Sequence, residues 1–177
     1  MAMTNTTKKT TNKKVATKKP RTVKAPVKIQ LPSNPFVFEI LEAVSAQRTA
    51  AKKVETLKQY EDDSVKAVLI WNFDESVVSM IPDGEVPYTP NDAPVGTDHT
   101  RLEQEYKGFY RFVKGGQDRL PSAKRESMFI QLLEGLSAEE AELVCLVKDK
   151  KLNDKYKRIT RSVISEAFPS ITWGGRS

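Results

Sequence analysis

"EDDSVKAVLIWNF", residues 61–73, decides the class of this fold. Asp62 or Asp63 stands where a helix N-cap is wanted, and Val65, Val68, Leu69, Trp71 and Phe73 follow at helical spacing. The stretch is apolar around most of its circumference, and such a helix belongs at the centre of a domain. Trp71 and Phe73 are therefore expected in the core and not as base-stacking groups.

Outward from this segment the chain reads as helices with polar punctuation. "SNPFVFEILEAVSA" (33–46) offers Asn34 as N-cap and Pro35 at the first helical position, with Phe36, Ile40, Leu41 and Val44 as one stripe. "TAAKKVETLKQYE" (49–61) turns Val54, Leu57 and Tyr60 inward and leaves Lys52, Lys53, Glu55 and Lys58 to water. "DESVVSMI" (74–81) is expected to add a short helix. Pro82, Gly84, Pro87, Pro90, Pro94 and Gly96 then forbid regular helix as far as Thr100. "RLEQEYKGFYRFVKGG" (101–116) resumes helix through Leu102, Tyr106, Phe109, Phe112 and Val113, with Tyr106 or Tyr110 at the rim, and stops at Gly115 and Gly116. "PSAKRESMFIQLLEGL" (121–136) follows, then "SAEEAELVCLVKDKK" (137–151), where Ser137 and Glu140 make a capping box. "KRITRSVISEAF" (157–168) closes before Pro169. With no repeat and no strand-like alternation, the expected class is all-α: a single compact multi-helix domain over 34–177, preceded by a tail over 1–33.

The tail holds Lys8, Lys9, Lys13, Lys14, Lys18, Lys19, Arg21, Lys24 and Lys28, and no acidic residue precedes Glu39. The formal charge of +6 is thus nine positive charges in the tail and −3 elsewhere, 20 Lys+Arg against 23 Asp+Glu. Low hydrophobicity with like charges cannot recover the entropy of ordering a backbone, so a disordered, solvated arm is expected. Pro20 and Pro26 argue against an amphipathic import helix, and no apolar run follows that would make a secretory signal. Each phosphate that a lysine neutralises releases counterion, which gives such an arm salt-sensitive, sequence-independent affinity for nucleic acid. A merely solubilising extension is the bland alternative.

The residues for chemistry are sparse. One cysteine, Cys145, set among Leu143, Val144, Leu146 and Val147, reads as a buried, inert thiol. It permits no internal disulfide, and with the single His99 it makes no zinc cluster. His99 has no nucleophile or acid at a recognisable spacing, Gly115-Gly116 lacks the Lys-Ser/Thr of a phosphate loop, and Asp62-Asp63 and Asp74-Glu75 stand at caps. No catalytic residue, metal or cofactor is expected, and no stretch approaches the 18 apolar residues of a membrane span.

Three pieces carry a resemblance: "FEILEAVSAQRTAAKKVETLKQYEDDSVKAVLIWNF" (38–73), "ESMFIQLLEGLSAEEAELVCLVKDKKL" (126–152) and "RSVISEAFPSI" (161–171). Their order resembles the N-terminal DNA-binding domain of the ATP-dependent DNA ligase of T-even-type bacteriophages, over roughly Pro35 to Ile171. The resemblance implies a concave helical face that holds a duplex from its minor-groove side. The nucleotidyltransferase that follows in the ligases, with its Lys-x-Asp-Gly nucleophile, has no counterpart; the one Asp-Gly is Asp83-Gly84, preceded by Ile81-Pro82. "KDKKLNDKYKRITR" (148–161) occupies the basic turn of the family. Lys148, Lys150, Lys151, Lys155, Lys157, Arg158 and Arg161 stand there against Asp149 and Asp154, a net +5 in fourteen residues. The family turn favours a glycine where the backbone meets the duplex, and none lies between Lys148 and Arg161; Asp74 and Glu75 fall where the ligases are more basic.

The expected function is therefore a non-catalytic, phage-type accessory protein that grips duplex DNA through its phosphates, directed by shape or a nick and not by sequence. It would act in the cytoplasm of an infected bacterial host or travel in the virion. The alternative is a virion or replication-associated interaction module whose helical body docks on a protein partner, for which the −3 body and the acidic "DES" patch speak. An ordinary solvated connection is the bland reading of 148–161.

Overall fold

Asp62 accepts from the amide of Ser64 at 2.7 Å and so starts helix α3 (Asp63–Phe73). The computed structural model describes residues 30–94 and 97–176, and among them the fold is all-α. The nine tail cations from Lys8 to Lys28 lie outside the described residues. The described chain begins against the body, since the amide of Leu31 donates to Tyr60 Oη at 3.4 Å. No described helix is long and apolar enough to cross a membrane.

Val65, Val68, Leu69 and Trp71 of α3 are buried, as the apolar run requires. Around α3 stand α1 (Val37–Ala46), α2 (Ala50–Gln59), α4 (Leu102–Glu105), α5 (Ser122–Gly135), α6 (Ala138–Lys148), α7 (Leu152–Lys155) and α8 (Arg161–Ala167). α3 packs on α6 and α4, α1 on α2 and α6, α2 on α8, and α5 on α6. Trp71 meets Phe109 edge-on at 4.8 Å between ring centres, and Phe112 meets Phe129 the same way at 5.1 Å. Such pairs add about 1 kcal/mol each beyond the area they bury.

Several boundaries differ from the sequence expectation, each for a local reason. α1 starts at Val37 and not at Pro35, because Glu39 Oε2 accepts from the amide of Phe36 at 2.8 Å and fixes the first turn there. "DESVVSMI" is no helix. Its β-branched Val77 and Val78 are followed by an antiparallel bridge between Ser79 and Val113, where Met80 N donates to Phe112 O at 2.7 Å and Lys114 N to Val78 O at 2.9 Å. After α4 the chain tightens into a 3₁₀ helix, Tyr106–Arg111, and does not continue as α. Gly116 is required by close approach: a Cβ there would lie 1.9 Å from the carbonyl oxygen of Tyr110.

The capping box at Ser137 is half realised. Ser137 Oγ accepts from the amide of Glu140 at 3.3 Å, but the Glu140 carboxylate turns away from its own helix end. It accepts instead from Val37 N at 3.3 Å and Leu102 N at 2.9 Å, the first residues of α1 and α4. One buried carboxylate thus satisfies two helix N-termini that would otherwise be orphaned. Burial pushes its pKa upward, and the two amides with Arg101 oppose that shift.

Glu140→Ala should therefore cost about 3 kcal/mol, since two buried amides lose their acceptor. A lower urea midpoint at unchanged slope is the expected readout, and Glu140→Gln, which keeps one acceptor, should lose about half as much.

Candidate nucleic-acid interface

The segment 148–161 alternates between core and surface. Lys148, Leu152, Tyr156 and Ile159 are buried; Lys150, Lys151, Lys157 and Arg158 between them, and Arg161 just beyond, are exposed. Leu152 N donates to Asn72 Oδ1 at 3.1 Å, so the end of α3 caps the short helix α7. Tyr156 is buried behind it, and burial drives its phenol pKa upward.

Lys148 leaves the set of expected phosphate contacts. At 2 % exposure it lies one helical repeat from Val144, on the inward face of α6, and its ammonium is consumed by the protein. Nζ donates to the carbonyls of Pro82 at 2.8 Å and Gly84 at 3.1 Å and pairs with Asp149. Lys155 is half-buried and pairs with Glu142 at 2.6 Å. Lys150 donates to the carbonyl of Asp74 at 2.9 Å. Lys151, Lys157, Arg158 and Arg161 make no ion pair within 4.0 Å among the described residues. Arg161 lies over the ring of Trp173 at 4.8 Å, and the indole is fixed by its own donation to Ser165 Oγ at 2.9 Å.

Two residues of this turn take the left-handed backbone that glycine adopts most readily: Lys150 at φ 56° and Arg158 at φ 60°. Lys150 ends α6 in a Schellman turn, with its amide on Val147 O at 3.0 Å and the amide of Lys151 on Leu146 O at 2.8 Å. The glycine missing from this turn is thus replaced by two cations in a glycine's conformation.

A second group of cations comes from a distant part of the sequence. Ser45 Oγ donates to the carbonyl of Lys157 at 3.3 Å, so the C-terminal end of α1 holds the bend between α7 and α8. Lys53, expected in water, is buried at 3 % exposure and donates to Val44 O at 2.7 Å and Ser45 O at 3.1 Å, capping α1. Burial, and then the charge of Arg158, hold its pKa below the ordinary lysine value. Arg48 and Lys52, on the turn and first residues of α2, are exposed. In sequence Lys52 and Lys157 are 105 positions apart, and the bond from Ser45 to Lys157 is what relates their two segments.

The "DES" segment is not an acidic surface patch. Asp74 is 2 % exposed and accepts from Ser76 N at 2.9 Å, Ser76 Oγ at 2.8 Å and Gly174 N at 3.0 Å, and it pairs with Arg176. Burial opposes its ionisation, yet these donors prevail and hold its pKa at about 2. Of the two acids only Glu75 faces water.

Elsewhere, a cleft of about 540 Å³ opens beside Lys151, with Val86, Tyr88, Cys145 and Leu146 in its wall. Cys145 is half-buried there and not enclosed, and burial pushes its thiol up to about 11, which leaves it protonated and unreactive near neutrality. His99 Nε2 lies 2.9 Å from Ala93 O, and among the described residues no three His, Cys, Asp or Glu side chains gather as a metal would need.

Residues 40–154 match the model of a family described as a family of unknown function, DUF6433. No curated protein and no solved structure matches the chain.

Arg158→Gly should raise stability by about 1 kcal/mol, because glycine takes the left-handed backbone without the Cβ penalty; thermal melts of the variant and of Arg158→Ala, which keeps the strain, check this. For Asp74, a folded pKa near 2 against an unfolded value near 4 makes its contribution complete above about pH 4 and lost as pH falls through 2. Urea melts from pH 6 to pH 2 should show about 2 kcal/mol of acid-sensitive stability that Asp74→Asn abolishes.

Proposed function

We propose that this chain, which belongs to the DUF6433 family, is a non-catalytic accessory protein that holds duplex DNA by its phosphates, directed by shape or a nick and not by base sequence. The observation that carries the reading is the bend from α7 to α8. Lys151, Lys157, Arg158 and Arg161 are exposed there within eleven residues, on a body whose net charge outside the tail is −3. Asp154 is exposed in the same stretch, yet none of the four cations has a carboxylate within 4.0 Å among the described residues.

The nine cations between Lys8 and Lys28 support the same reading by composition. Neutralising phosphates releases counterions, so arm and bend would add to one affinity that salt weakens. The arm has no aromatic residue on which an unpaired base could stack, which favours duplex over single strand. The resemblance to the DNA-binding domain of phage ligases points the same way. The rival reading, docking on a replication or virion protein, rests on the −3 body and the acidic "DES" segment; with Asp74 buried and tied to Arg176, Glu75 is the one acid of that segment that faces water.

The full chain should bind a fluorescently labelled duplex of about 20 base pairs with an affinity that drops by ~10³-fold or more between 50 and 200 mM salt. Lys157→Ala/Arg158→Ala/Arg161→Ala should weaken binding and reduce the slope of log K against log salt by roughly 2 to 3. Anisotropy titrations that find no binding, or a triple variant indistinguishable from the parent, would overturn the reading.

A further inference from the structure

The α7–α8 bend is not an isolated loop. Its backbone is moored to the far end of α1 by the bond from Ser45 Oγ to Lys157 O at 3.3 Å, and α8 packs along α2. The mooring brings Arg158 near enough to Lys53 for its charge to be felt there. Lys53 is sealed in place by Val44 O and Ser45 O, so it fixes the start of α2 and does not itself reach solvent. Arg48, three residues beyond Ser45, and Lys52, one residue before Lys53, are exposed. Glu42 and Glu55 are the nearest acids on those two helices, and neither pairs with Arg48, Lys52, Lys157 or Arg158 within 4.0 Å.

Resting on the duplex-binding reading above, we infer that Arg48 and Lys52 form the second jaw of a phosphate clamp whose first jaw is Lys157 and Arg158. The occupant is the sugar-phosphate backbone of duplex DNA, gripped at successive phosphates. A single small anion needs one seat; four side chains drawn from two chain segments 105 residues apart suit an extended polyanion. The positive end of the α2 dipole, whose start is capped by Thr49 Oγ1 accepting from Lys52 N at 3.3 Å, adds to the same field. Lys53 is a positioning residue: its two bonds hold the α1–α2 turn and so set where the second jaw stands.

The test compares the full chain with Arg48→Ala/Lys52→Ala, with Arg158→Gly and with Lys124→Ala, an exposed lysine at the start of α5 that serves as a charge control. Each is titrated by anisotropy against a labelled duplex of about 20 base pairs from 50 to 300 mM salt, after circular dichroism shows native helix content. The double variant is expected to lose about tenfold in affinity at ~100 mM salt and to reduce the salt slope by about 1.8, two phosphates at 0.9 each. Arg158→Gly should reduce the slope by about 0.9, and Lys124→Ala should match the parent. A double variant that keeps the parent's slope while Arg158→Gly loses its share overturns the second jaw and leaves the duplex reading standing. Equal losses in Lys124→Ala also overturn it, since charge anywhere would then suffice. No binding by the parent removes both.

Discussion

The fold depends on a constraint set by the backbone: helix ends and loop carbonyls inside a protein must find partners, and here buried ionic side chains supply them. Glu140 accepts from the first amides of α1 and α4. Lys53 donates to the last carbonyls of α1, Arg125 to the carbonyls of Arg111 and Gln117, and Lys148 to those of Pro82 and Gly84. All four side chains are buried, and each except Lys148, which also pairs with Asp149, is satisfied by main chain alone. A charge used this way offsets part of its desolvation cost through hydrogen bonds to main chain, and Glu140 and Lys148 tie segments far apart in sequence.

That constraint also decides which charges are left for a partner. A count of Lys and Arg over 148–161 overstates the surface, because Lys148 is structural and Lys150 and Lys155 have acceptors within the protein. It also says nothing of the α1 end to which Ser45 ties Lys157, near which in sequence Arg48 and Lys52 are exposed. The same holds for acids: Asp74 and Glu140 contribute to the formal −3 outside the tail without facing water. Composition is therefore a poor guide to which charges face solvent, for the acids as for the bases.

The parts legible in sequence are those where one periodicity governs. α6 begins directly after its Ser137 cap, α3 buries Val65, Val68, Leu69 and Trp71 as its apolar circumference implies while Phe73 is half-buried, and α8 ends before Pro169. What was not legible falls into two kinds. In "DESVVSMI" and in 102–111, pairing across the chain and a tightened 3₁₀ turn overrode local propensity, and neither leaves a mark on a single segment. The buried ions are different, because register does mark them: Lys53 lies four residues before Leu57, Arg125 four before Phe129, Glu140 four before Val144 and Lys148 four after it. A charge on an apolar stripe is a signal that some backbone group waits for it. The identity of that group is set by the tertiary fold alone.

The left-handed residues show how the two uses of charge meet. A turn that must reverse tightly beside a duplex would ordinarily hold glycine, whose bare backbone can approach phosphate closely. Here Lys150 and Arg158 adopt that backbone and retain long cationic side chains, at a cost of about 1 kcal/mol each that glycine would not incur. Lys150 recovers part of the cost through its bond to Asp74 O and the Schellman turn it closes. Arg158 recovers nothing visible within the protein: it is exposed, has no ion pair among the described residues, and stands beside another positive charge. The cost at Arg158 is carried by the fold around it, since Tyr156 and Ile159 are buried on either side and fix the turn that imposes the left-handed backbone.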